Sequence, residues 1–403
     1  MKIVHINFSS DSGGAAIAVR RIHDLLCSEQ IDSNLLVCES NIEDDKIIKI
    51  KKTSENIKTQ IKKTISRKLK IFFKTQNKNT HSINMIPSNL IKIVNDLNPD
   101  YVNLHWIGNE TISISDIKKI KSKIIWTLHD MWPFCGAEHY TNNSRYIDGY
   151  LKSNRPSSER GFDLNKFIWE KKIKNFKNID KIICSSQWLF DCAKKSYLFK
   201  EKKIKQIPLP IDTSFWTPTD KFFSKQFFGI KANEKVILFG ADNFIKNERK
   251  GFNRISSLLK KIKVNGDYKI IFFGVNKSYK FKDINKNIIN LGNIRDEYTL
   301  KLIYSAADVT LVPSLVEAFG LTAYESIHCG TPCVIFDGSG LSSIIEHKKN
   351  GYIAKKDLLD DFLKGIHWCL ENSSINQKVI SNITKIKFNK KEIIKNYISF
   401  LNS

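Results

Sequence analysis

The sequence predicts an α/β protein with two Rossmann-like domains, each built on a doubly wound parallel sheet. Its 403 residues suit two or three domains of ordinary size. Short apolar runs alternate with amphipathic stretches along most of the chain, which is the pattern of βαβ units. The alternation breaks once, at Ile-Pro-Leu-Pro-Ile-Asp (207–212), where two prolines favour extended backbone and remove two hydrogen-bond donors. The break separates two domains.

The first domain is predicted over residues 1–208. Runs rich in Ile, Val and Leu predict its strands, and stretches with apolar residues every three or four positions predict its helices. The predicted strands are 2–8, 34–38, 101–106, 123–129, 180–184 and 204–208. The predicted helices are 14–29, 88–97, 165–176 and 187–197.

A linker over 209–218 leads to a second domain over 219–388. Apolar runs again predict parallel strands, at 235–240, 268–273, 288–291, 308–312, 332–336 and 351–354. The remaining residues, 389–403, place Ile393, Ile394, Tyr397 and Phe400 at helical spacing. We expect a C-terminal helix there whose apolar face packs on another element, with the first domain as one candidate.

Residues 46–80 do not fit the alternation and are predicted as a basic insertion. They contain eleven lysines and one arginine against a single acid, Glu55. Apolar residues recur every three or four positions, which predicts an amphipathic helix near 56–73 with a cationic face. Such a helix is an ordinary solvated surface, a contact with an anionic membrane or a contact with nucleic acid. The predicted membrane contacts are Lys58, Ile61, Lys62, Ile65, Lys68, Leu69 and Phe72.

Charge and cysteine content narrow the class of protein. The 65 Lys and Arg residues exceed the 41 acids by 24, which favours an anionic partner. The N-terminal segment lacks the apolar stretch of a signal peptide, and no apolar run is long enough to span a membrane. The eight cysteines form no CxxC pair, so we expect reduced thiols and no metal site. These features predict a cytoplasmic protein.

Two carboxylates follow the predicted strand 308–312, in Val312-Pro-Ser-Leu-Val-Glu317-Ala-Phe-Gly-Leu-Thr-Ala-Tyr-Glu325. A helix is expected to begin near Phe319-Gly320, which puts Glu325 roughly 7–9 Å along its axis. Two acids so placed can bind separate hydroxyl groups of one extended ligand, while amides at the helix start favour an anion. Ligands of open α/β sheets bind at the carboxyl ends of strands, where this loop lies.

This segment resembles the E-x7-E signature of retaining glycosyltransferases of family 4, which have the GT-B fold of two domains facing a cleft. Other stretches resemble the family in the same order along the chain. They are Ser12-Gly13-Gly14, Thr127-Leu-His129-Asp130, Ser185-Ser-Gln-Trp188, Ile207-Pro-Leu-Pro-Ile-Asp212, Phe239-Gly240-Ala and Arg249-Lys250-Gly251-Phe252. The colanic-acid type, whose enzymes build bacterial exopolysaccharide or O-antigen, is the most similar subgroup. Its relatives often carry several cysteines after the His-Asp pair, whereas this chain has Cys135 alone.

The resemblance implies a role for each matching residue. Glu325 is expected to accept hydrogen bonds from the ribose of a nucleoside-diphosphate sugar, and Glu317 from the donor sugar. His129 is expected beside the transferred sugar, so Glu317 and His129 are the predicted catalytic residues. The other predicted nucleotide-sugar ligands are Gly13, Gly14, Arg249, Lys250, Phe319, Gly320 and Leu321.

The chemistry of the reaction agrees with these roles. The diphosphate leaving group gains negative charge, which fixed cations and helix-start amides stabilise. Arg249 suits bidentate contact with phosphate, and Lys250 acts as a point charge. The family needs no divalent metal, and the chain has no Asp-x-Asp motif. We therefore expect no cofactor besides the donor itself, of UDP or GDP type.

The sequence thus predicts a retaining glycosyltransferase at the inner face of the cytoplasmic membrane. Its acceptor would be a lipid-linked saccharide in bacterial surface polysaccharide synthesis. One alternative is another GT-B enzyme, such as a nucleotide-sugar epimerase, because a fold does not fix a function. A non-enzymatic nucleic-acid-binding protein would also explain the charge, but the basic residues are not interleaved with aromatic residues in a stacking pattern.

Overall fold

The chain folds into two α/β units, each around a parallel sheet. The computed structural model describes residues 1–50, 64–65, 68–69, 71–262, 267–281, 284, 287–294, 296–372 and 377–403. The first unit comprises Met1–Pro210 together with Ile393–Ser403, and the second comprises Ile211–Glu392.

The first unit contains a seven-stranded parallel sheet and a separate two-stranded antiparallel pair. Its strands are β1 (Lys2–Ser9), β2 (Asp32–Glu39), β3 (Ile47–Lys49), β4 (Phe73–Lys74), β5 (Tyr101–Leu104), β6 (Lys123–Leu128), β7 (Arg160–Gly161), β8 (Ile179–Cys184) and β9 (Lys203–Gln206). Its helices are α1 (Gly14–Ser28), α2 (Leu90–Leu97), α3 (Ile114–Ile117), α4 (Arg145–Asp148), α5 (Leu164–Asn175) and α6 (Gln187–Lys195). The sheet order is β3-β2-β1-β5-β6-β8-β9, and β4 pairs with β7.

The central strands of this sheet are buried on both faces, as parallel strands covered by helices are. In β1, Ile3, Val4 and Ile6 have no exposed surface. Ile3 lies opposite Tyr101 of β5, and Tyr101 lies opposite Lys123 of β6. The carboxyl ends of β1, β5 and β6 therefore lie side by side.

The structure corrects the prediction for residues 46–80 at both ends. Ile47–Lys49 form β3 against β2, and Phe73 is buried in β4 opposite Gly161 rather than on a continuous helix. Both ends therefore belong to sheets. Lys58, Ile61 and Lys62 lie outside the described residues.

The other predicted membrane contacts can be placed. The side chains of Ile65 and Phe72 are 44% and 64% exposed, Lys68 is exposed and Leu69 is partly buried. Among the helices in the described part of the chain, none combines the length and the apolar character that crossing a bilayer requires.

The second unit contains a six-stranded parallel sheet in the order β12-β11-β10-β13-β14-β15. These strands are β10 (Lys235–Gly240), β11 (Tyr268–Phe273), β12 (Ile288–Asn290), β13 (Val309–Val312), β14 (Cys333–Phe336) and β15 (Gly351–Ala354). Its helices are α7 (Lys221–Phe227), α8 (Phe252–Leu259), α9 (Glu297–Ala306), α10 (Leu321–His328), α11 (Leu359–Glu371) and α12 (Gln377–Lys387). Phe239, Phe244, Phe252 and Phe272 pack ring against ring in its core.

The last helix, α13 (Lys390–Asn402), contributes its residues from Ile393 onward to the first unit. Its buried apolar face contains Ile393, Ile394, Tyr397, Phe400 and Leu401. Asn103 of β5 donates to the Tyr397 hydroxyl at 2.7 Å. The carbonyl of Leu401 accepts from the Tyr101 hydroxyl at 2.7 Å and from Lys181 Nζ at 2.6 Å. Both apolar packing and polar contacts therefore anchor this helix.

Replacing Tyr397 by Phe tests that anchor. Tyr397→Phe removes the buried acceptor of Asn103 Nδ2 but keeps the ring, and Asn103 retains its contact with Thr127. We expect a loss of about 1 kcal/mol in the free energy of unfolding, measured by urea denaturation. Asn396→Ala, on the same helix as Tyr397, is the control. It removes an exposed contact with Lys205 of β9 and should change stability by less than about 0.5 kcal/mol. Equal effects of the two variants would contradict the anchoring role.

Candidate active site

Two loops of the second unit meet where the neighbouring strands β10 and β13 end. Glu248–Lys250 form a short 3-10 turn after β10, and Gly251 ends it with a φ of +75° before α8 begins. A Cβ atom at Gly251 would lie 1.9 Å from the carbonyl oxygen of Pro313, which follows β13. The amide of Leu315 donates to the carbonyl of Arg249 at 2.8 Å. Only glycine permits this approach, which joins the basic turn to the loop that carries Glu317.

The contact between these loops assembles an ion-pair cluster. Glu317 Oε2 lies 3.0 Å from Arg249 Nη1, and Oε1 lies 2.7 Å from Lys250 Nζ. The hydroxyl of Ser314 donates to Oε1 at 2.9 Å. Arg249 also donates to the carbonyl of Val316 at 2.8 Å, so the guanidinium is held at two points. The sequence prediction placed these three charged residues in one site, and the structure brings them into direct contact.

The cluster keeps Glu317 ionised. Burial alone would raise the pKa of this carboxyl, but Arg249 and Lys250 outweigh it and lower the pKa of Glu317 from 4.5 to about 2. Burial lowers the pKa of Lys250, and Glu317 opposes that shift. The two cations remain partly open to solvent, with side-chain exposures of 17% for Arg249 and 20% for Lys250. One carboxylate between two accessible cations leaves a positive site that can take up an anion.

The helix that follows Glu317 begins where the sequence predicted it. Gly320 caps α10 with a φ of +111°, and a Cβ atom there would lie 2.3 Å from Leu341 Cδ2. The Phe319 side chain is buried against Tyr324, so only its backbone is suited to a ligand. The first amides of a helix have no partner within it and favour negative charge. Phe319, Gly320 and Leu321 therefore lie at an anion-favouring end.

Glu325 is buried within α10 and contacts a residue outside the ion-pair cluster. The Tyr304 hydroxyl from α9 donates to Glu325 Oε2 at 3.2 Å. Burial raises the pKa of the Tyr304 hydroxyl, and the nearby carboxylate adds to that shift. The structure places both acids of the predicted pair on the loop and helix after β13, and only Glu317 joins the ion-pair cluster.

The predicted glycines of the first unit lie at the start of α1, directly after β1. Gly13 has a φ of +87° and caps the helix, with its carbonyl accepting from the amide of Ala16 at 3.1 Å. A Cβ atom at Gly13 would meet nothing within 4 Å among the described residues, so this side of the turn is open. Gly14 is the first helical residue. The pair can therefore bring backbone close to a ligand.

His129 follows β6, and its ring contacts His105 rather than Asp130. His105 Nδ1 and His129 Nε2 are 2.9 Å apart, and the two rings are stacked. Burial lowers the pKa of His129 to about 4, although Asp130 acts against the shift. Asp130 Oδ2 instead contacts His139 Nδ1 at 2.6 Å. His129 is therefore a neutral ring at neutral pH.

The loop after His129 is held by buried charges. Lys172 of α5 has no exposed surface and donates to the carbonyls of Trp132, Cys135 and Gly136, the last two at 3.0 and 2.6 Å. Burial lowers the pKa of Lys172 to about 7. Arg145 is equally buried and pairs with Glu159 and Asp163. The Lys172 contacts fix the backbone around Cys135, and the Arg145 pairs hold Arg145 against Glu159 and Asp163.

Sequence reasoning missed several residues of these sites. The motifs of the sequence include none of His105, Tyr304 and Lys172. The position of His105 at the end of a strand was a usable signal, but its neighbours follow from the strand order, which the sequence does not state. In the described part of the chain, no three His, Cys, Asp or Glu side chains are grouped so as to hold a metal ion.

Each of the two units matches a protein-family model. A model described as Glycosyltransferase Family 4 matches residues 50–215. A second, described as Glycosyl transferases group 1, matches residues 220–386, which include the ion-pair cluster and Glu325. Both units carry glycosyltransferase domains. The prediction of a family 4-like glycosyltransferase is confirmed at this level, and the colanic-acid subgroup stays a prediction.

Curated relatives match part of the chain. An uncharacterised glycosyltransferase of Methanocaldococcus jannaschii is 26% identical over 179 residues, which are 42% of this chain and 45% of that protein. A D-inositol 3-phosphate glycosyltransferase of Mycobacteroides abscessus is 27% identical over 165 residues, 39% of this chain and 36% of that one. Each match spans less than half of the relative's length.

Solved structures match the whole chain. Sucrose-phosphate synthase from Thermosynechococcus elongatus has a TM-score of 0.71 at 15% identity, over 100% of this chain and 98% of that one. Anabaena HepE, solved in complex with UDP and glucose, has a TM-score of 0.65 at 13% identity, over 100% and 99%. The fold is GT-B. The predicted fold class is therefore confirmed, and each GT-B unit has the expected parallel sheet.

The low pKa of Glu317 gives a pH-dependent prediction. A carboxyl whose pKa falls from 4.5 to about 2 on folding stabilises the protein above pH 4.5, and this contribution is lost as the pH falls towards 2. We expect Glu317→Gln to have a lower melting temperature than the unmodified protein at pH 7, with the gap narrowing below pH 4.5. Glu371→Gln, at an exposed position of α11, is the control and should show no gap at any pH. A gap that stays constant down to pH 3 would contradict the lowered pKa.

Proposed function

We propose that the chain is a retaining glycosyltransferase that transfers a sugar from a nucleoside diphosphate to a saccharide acceptor without a divalent metal. The observation that carries the proposal is the cluster of Glu317, Arg249 and Lys250 at the start of α10. It lies in the segment that the group 1 glycosyltransferase model matches. A Glu–Arg–Lys cluster beside helix-start amides suits a ligand with both hydroxyl groups and phosphates.

The leaving group determines what the cations do. When the bond between the sugar C1 and the diphosphate oxygen breaks, its electron pair stays on the diphosphate. Arg249 and Lys250 stabilise that charge from fixed positions, together with the amides near Gly320. Glu317 keeps both cations in place before the donor binds. Because the cluster is already assembled, little reorganisation is needed as the charge develops.

The carboxylates orient the two ends of the donor. Glu317 is ionised at neutral pH, so both its oxygens are acceptors for hydroxyl groups of the transferred sugar. Glu325 is assigned to the ribose hydroxyls, with the Tyr304 hydroxyl holding its other face. The acceptor hydroxyl attacks C1 from the side on which the diphosphate leaves, which retains the configuration, and its proton passes to a departing phosphate oxygen. No protein nucleophile is assigned.

The donor nucleotide is of UDP or GDP type. UDP complexes of the similar Anabaena HepE support UDP. A GDP-mannose-dependent mannosyltransferase of Mycobacterium tuberculosis, 44% identical over 54 residues that are 14% of its length, supports GDP. The acceptor is proposed to be a lipid-linked saccharide of bacterial surface polysaccharide. WaaG, a glycosyltransferase involved in lipopolysaccharide biosynthesis, has a similar fold, with a TM-score of 0.60 at 12% identity.

Substituting the two acids separately tests their assigned roles. We expect Glu325→Ala to weaken binding of the donor nucleotide, and Glu317→Ala to reduce turnover by at least about tenfold, because it removes interactions with the sugar in the transition state. Thermal shifts with UDP, GDP and their sugars, with and without EDTA, measure binding, and initial rates measure turnover. Glu371→Ala is the matched control on an exposed helix position.

Three results would contradict the proposal. Full activity in both variants would exclude the assigned site. Stabilisation by nucleotide that disappears with EDTA would exclude metal independence. Conversion of the sugar nucleotide in the absence of any acceptor would favour an epimerase.

We also propose that the basic segment near 58–72 docks the protein on an anionic membrane at the cytoplasmic face. The support is the exposure of Ile65 and Phe72 beside exposed Lys68, and the net charge of +24. We expect the protein to sediment with vesicles containing phosphatidylglycerol at low salt. Binding should fall at least about tenfold when Lys58, Lys62 and Lys68 are replaced by Glu. The control replaces Lys355, Lys356 and Lys364 of the second unit by Glu, and an equal loss there would reject a specific role for the segment.

A further inference from the structure

Three histidines of the first unit form a hydrogen-bonded chain across adjacent strands. His5 lies in β1, and His105 and His129 directly follow β5 and β6, the next strands of the sheet. His5 Nδ1 lies 2.9 Å from His105 Nε2, and His105 Nδ1 lies 2.9 Å from His129 Nε2. His5 and His105 are almost completely buried. Each of the two short contacts therefore needs one nitrogen to donate and the other to accept.

The three hydrogen-bonded histidines allow only two arrangements of their ring protons. Burial lowers the pKa of His5 to about 3 and of His129 to about 4, and the pKa of His105 also lies well below its usual value. All three rings are therefore neutral, and a neutral imidazole has one N–H and one bare nitrogen. Because His105 is in the middle, it donates in one direction only. Either all three rings carry the proton on Nδ1, or all three carry it on Nε2.

The two ends of the chain distinguish these arrangements. With the protons on Nε2, His5 would bury an N–H that finds no partner among the described residues. Buried N–H groups without a partner are rare because the lost hydrogen bond is costly. With the protons on Nδ1, the outermost proton is on His129, next to Asp130 and two rings away from His5. The carboxylate charge of Asp130 favours a proton at that end.

We propose that His5 and His105 are positioning residues that hold His129 in the Nδ1–H tautomer, so that His129 presents a hydrogen-bond donor rather than a base. The family resemblance implies that His129 lies beside the transferred sugar, and the use of this donor on a sugar oxygen rests on the proposed function. A neutral donor polarises or orients an oxygen without a second positive charge beside a developing oxocarbenium ion. The sequence motif identified His129 alone, whereas the chain of rings explains which nitrogen carries its proton.

Nitrogen NMR of the full chain labelled with 15N-histidine tests the tautomer directly. Long-range proton–nitrogen correlations separate protonated from bare ring nitrogens. We expect His5, His105 and His129 to show a protonated Nδ1 and a bare Nε2 at pH 7. Protonated Nε2 atoms, or averaged signals from mixed tautomers, would overturn the proposal. This measurement needs no substitution that could impair folding, and it is independent of transferase activity.

Variants test whether the hydrogen bonds from His5 through His105 determine the tautomer of His129. His105→Phe keeps a ring in place but removes both ring-to-ring hydrogen bonds, so the His129 signals should shift towards a mixture of tautomers. His23→Gln is the control, because His23 bonds to Ser33 and packs edge-on against His5 at 6.4 Å without joining the chain. It should leave the His129 signals unchanged. An unchanged His129 in folded His105→Phe would overturn the positioning role.

Activity measurements separate a donor from a base. The side-chain amide introduced by His129→Asn lies near the position of Nδ1, whereas the longer amide introduced by His129→Gln reaches the position of Nε2. We expect His129→Asn to retain at least about tenfold more kcat than His129→Gln, with KM for the donor similar in both. Equal or reversed activities would reject the donor role. Absence of activity in the unmodified protein would instead contradict the proposed function, while the tautomer result would stand.

Discussion

The ionised carboxylate of Glu317, buried between Arg249 and Lys250, is the constraint on which the second unit depends. A buried carboxylate is costly unless cations and hydrogen bonds compensate it. Here the compensation requires two loops from adjacent strands to approach within a distance that only a glycine permits, at Gly251. The geometry of the site and the packing of the loops are therefore one requirement. Neither can change without the other.

The first unit meets a similar cost in a different way. Its buried polar groups include neutral histidines joined by hydrogen bonds, and Lys172, which donates to three backbone carbonyls. Such a network has few satisfied arrangements, because each donor needs a particular acceptor. The histidines are therefore fixed by hydrogen-bond direction, whereas Glu317 of the second unit is fixed by charge.

The sequence predicted most of the strands because apolar runs on parallel strands are continuous and easily bounded. The strands at 235–240, 268–273 and 351–354 have the predicted bounds. It also predicted a ligand site that contains Glu317, since the spacing of the residues around Glu317 resembles a known motif. It failed at Phe73, where helical spacing competed with pairing to a distant strand. The hydrogen bonds that join His129 to His105 and His5 could not be predicted either. They depend on which strands are neighbours in the sheet, and the spacing of residues along one strand does not contain that information.

The helix that ends the described chain has a consequence for biosynthesis. Residues Ile393–Ser403 complete the first unit, yet the ribosome makes them only after the whole of Ile211–Glu392. Until then, the Tyr101 hydroxyl and the Asn103 side-chain amide lack the hydrogen-bond partners that Leu401 and Tyr397 provide. The first unit therefore reaches its final form after the second has been synthesised, in the reverse of the usual vectorial order. Removing Ile393–Ser403 would leave Tyr101 and Asn103 without these partners.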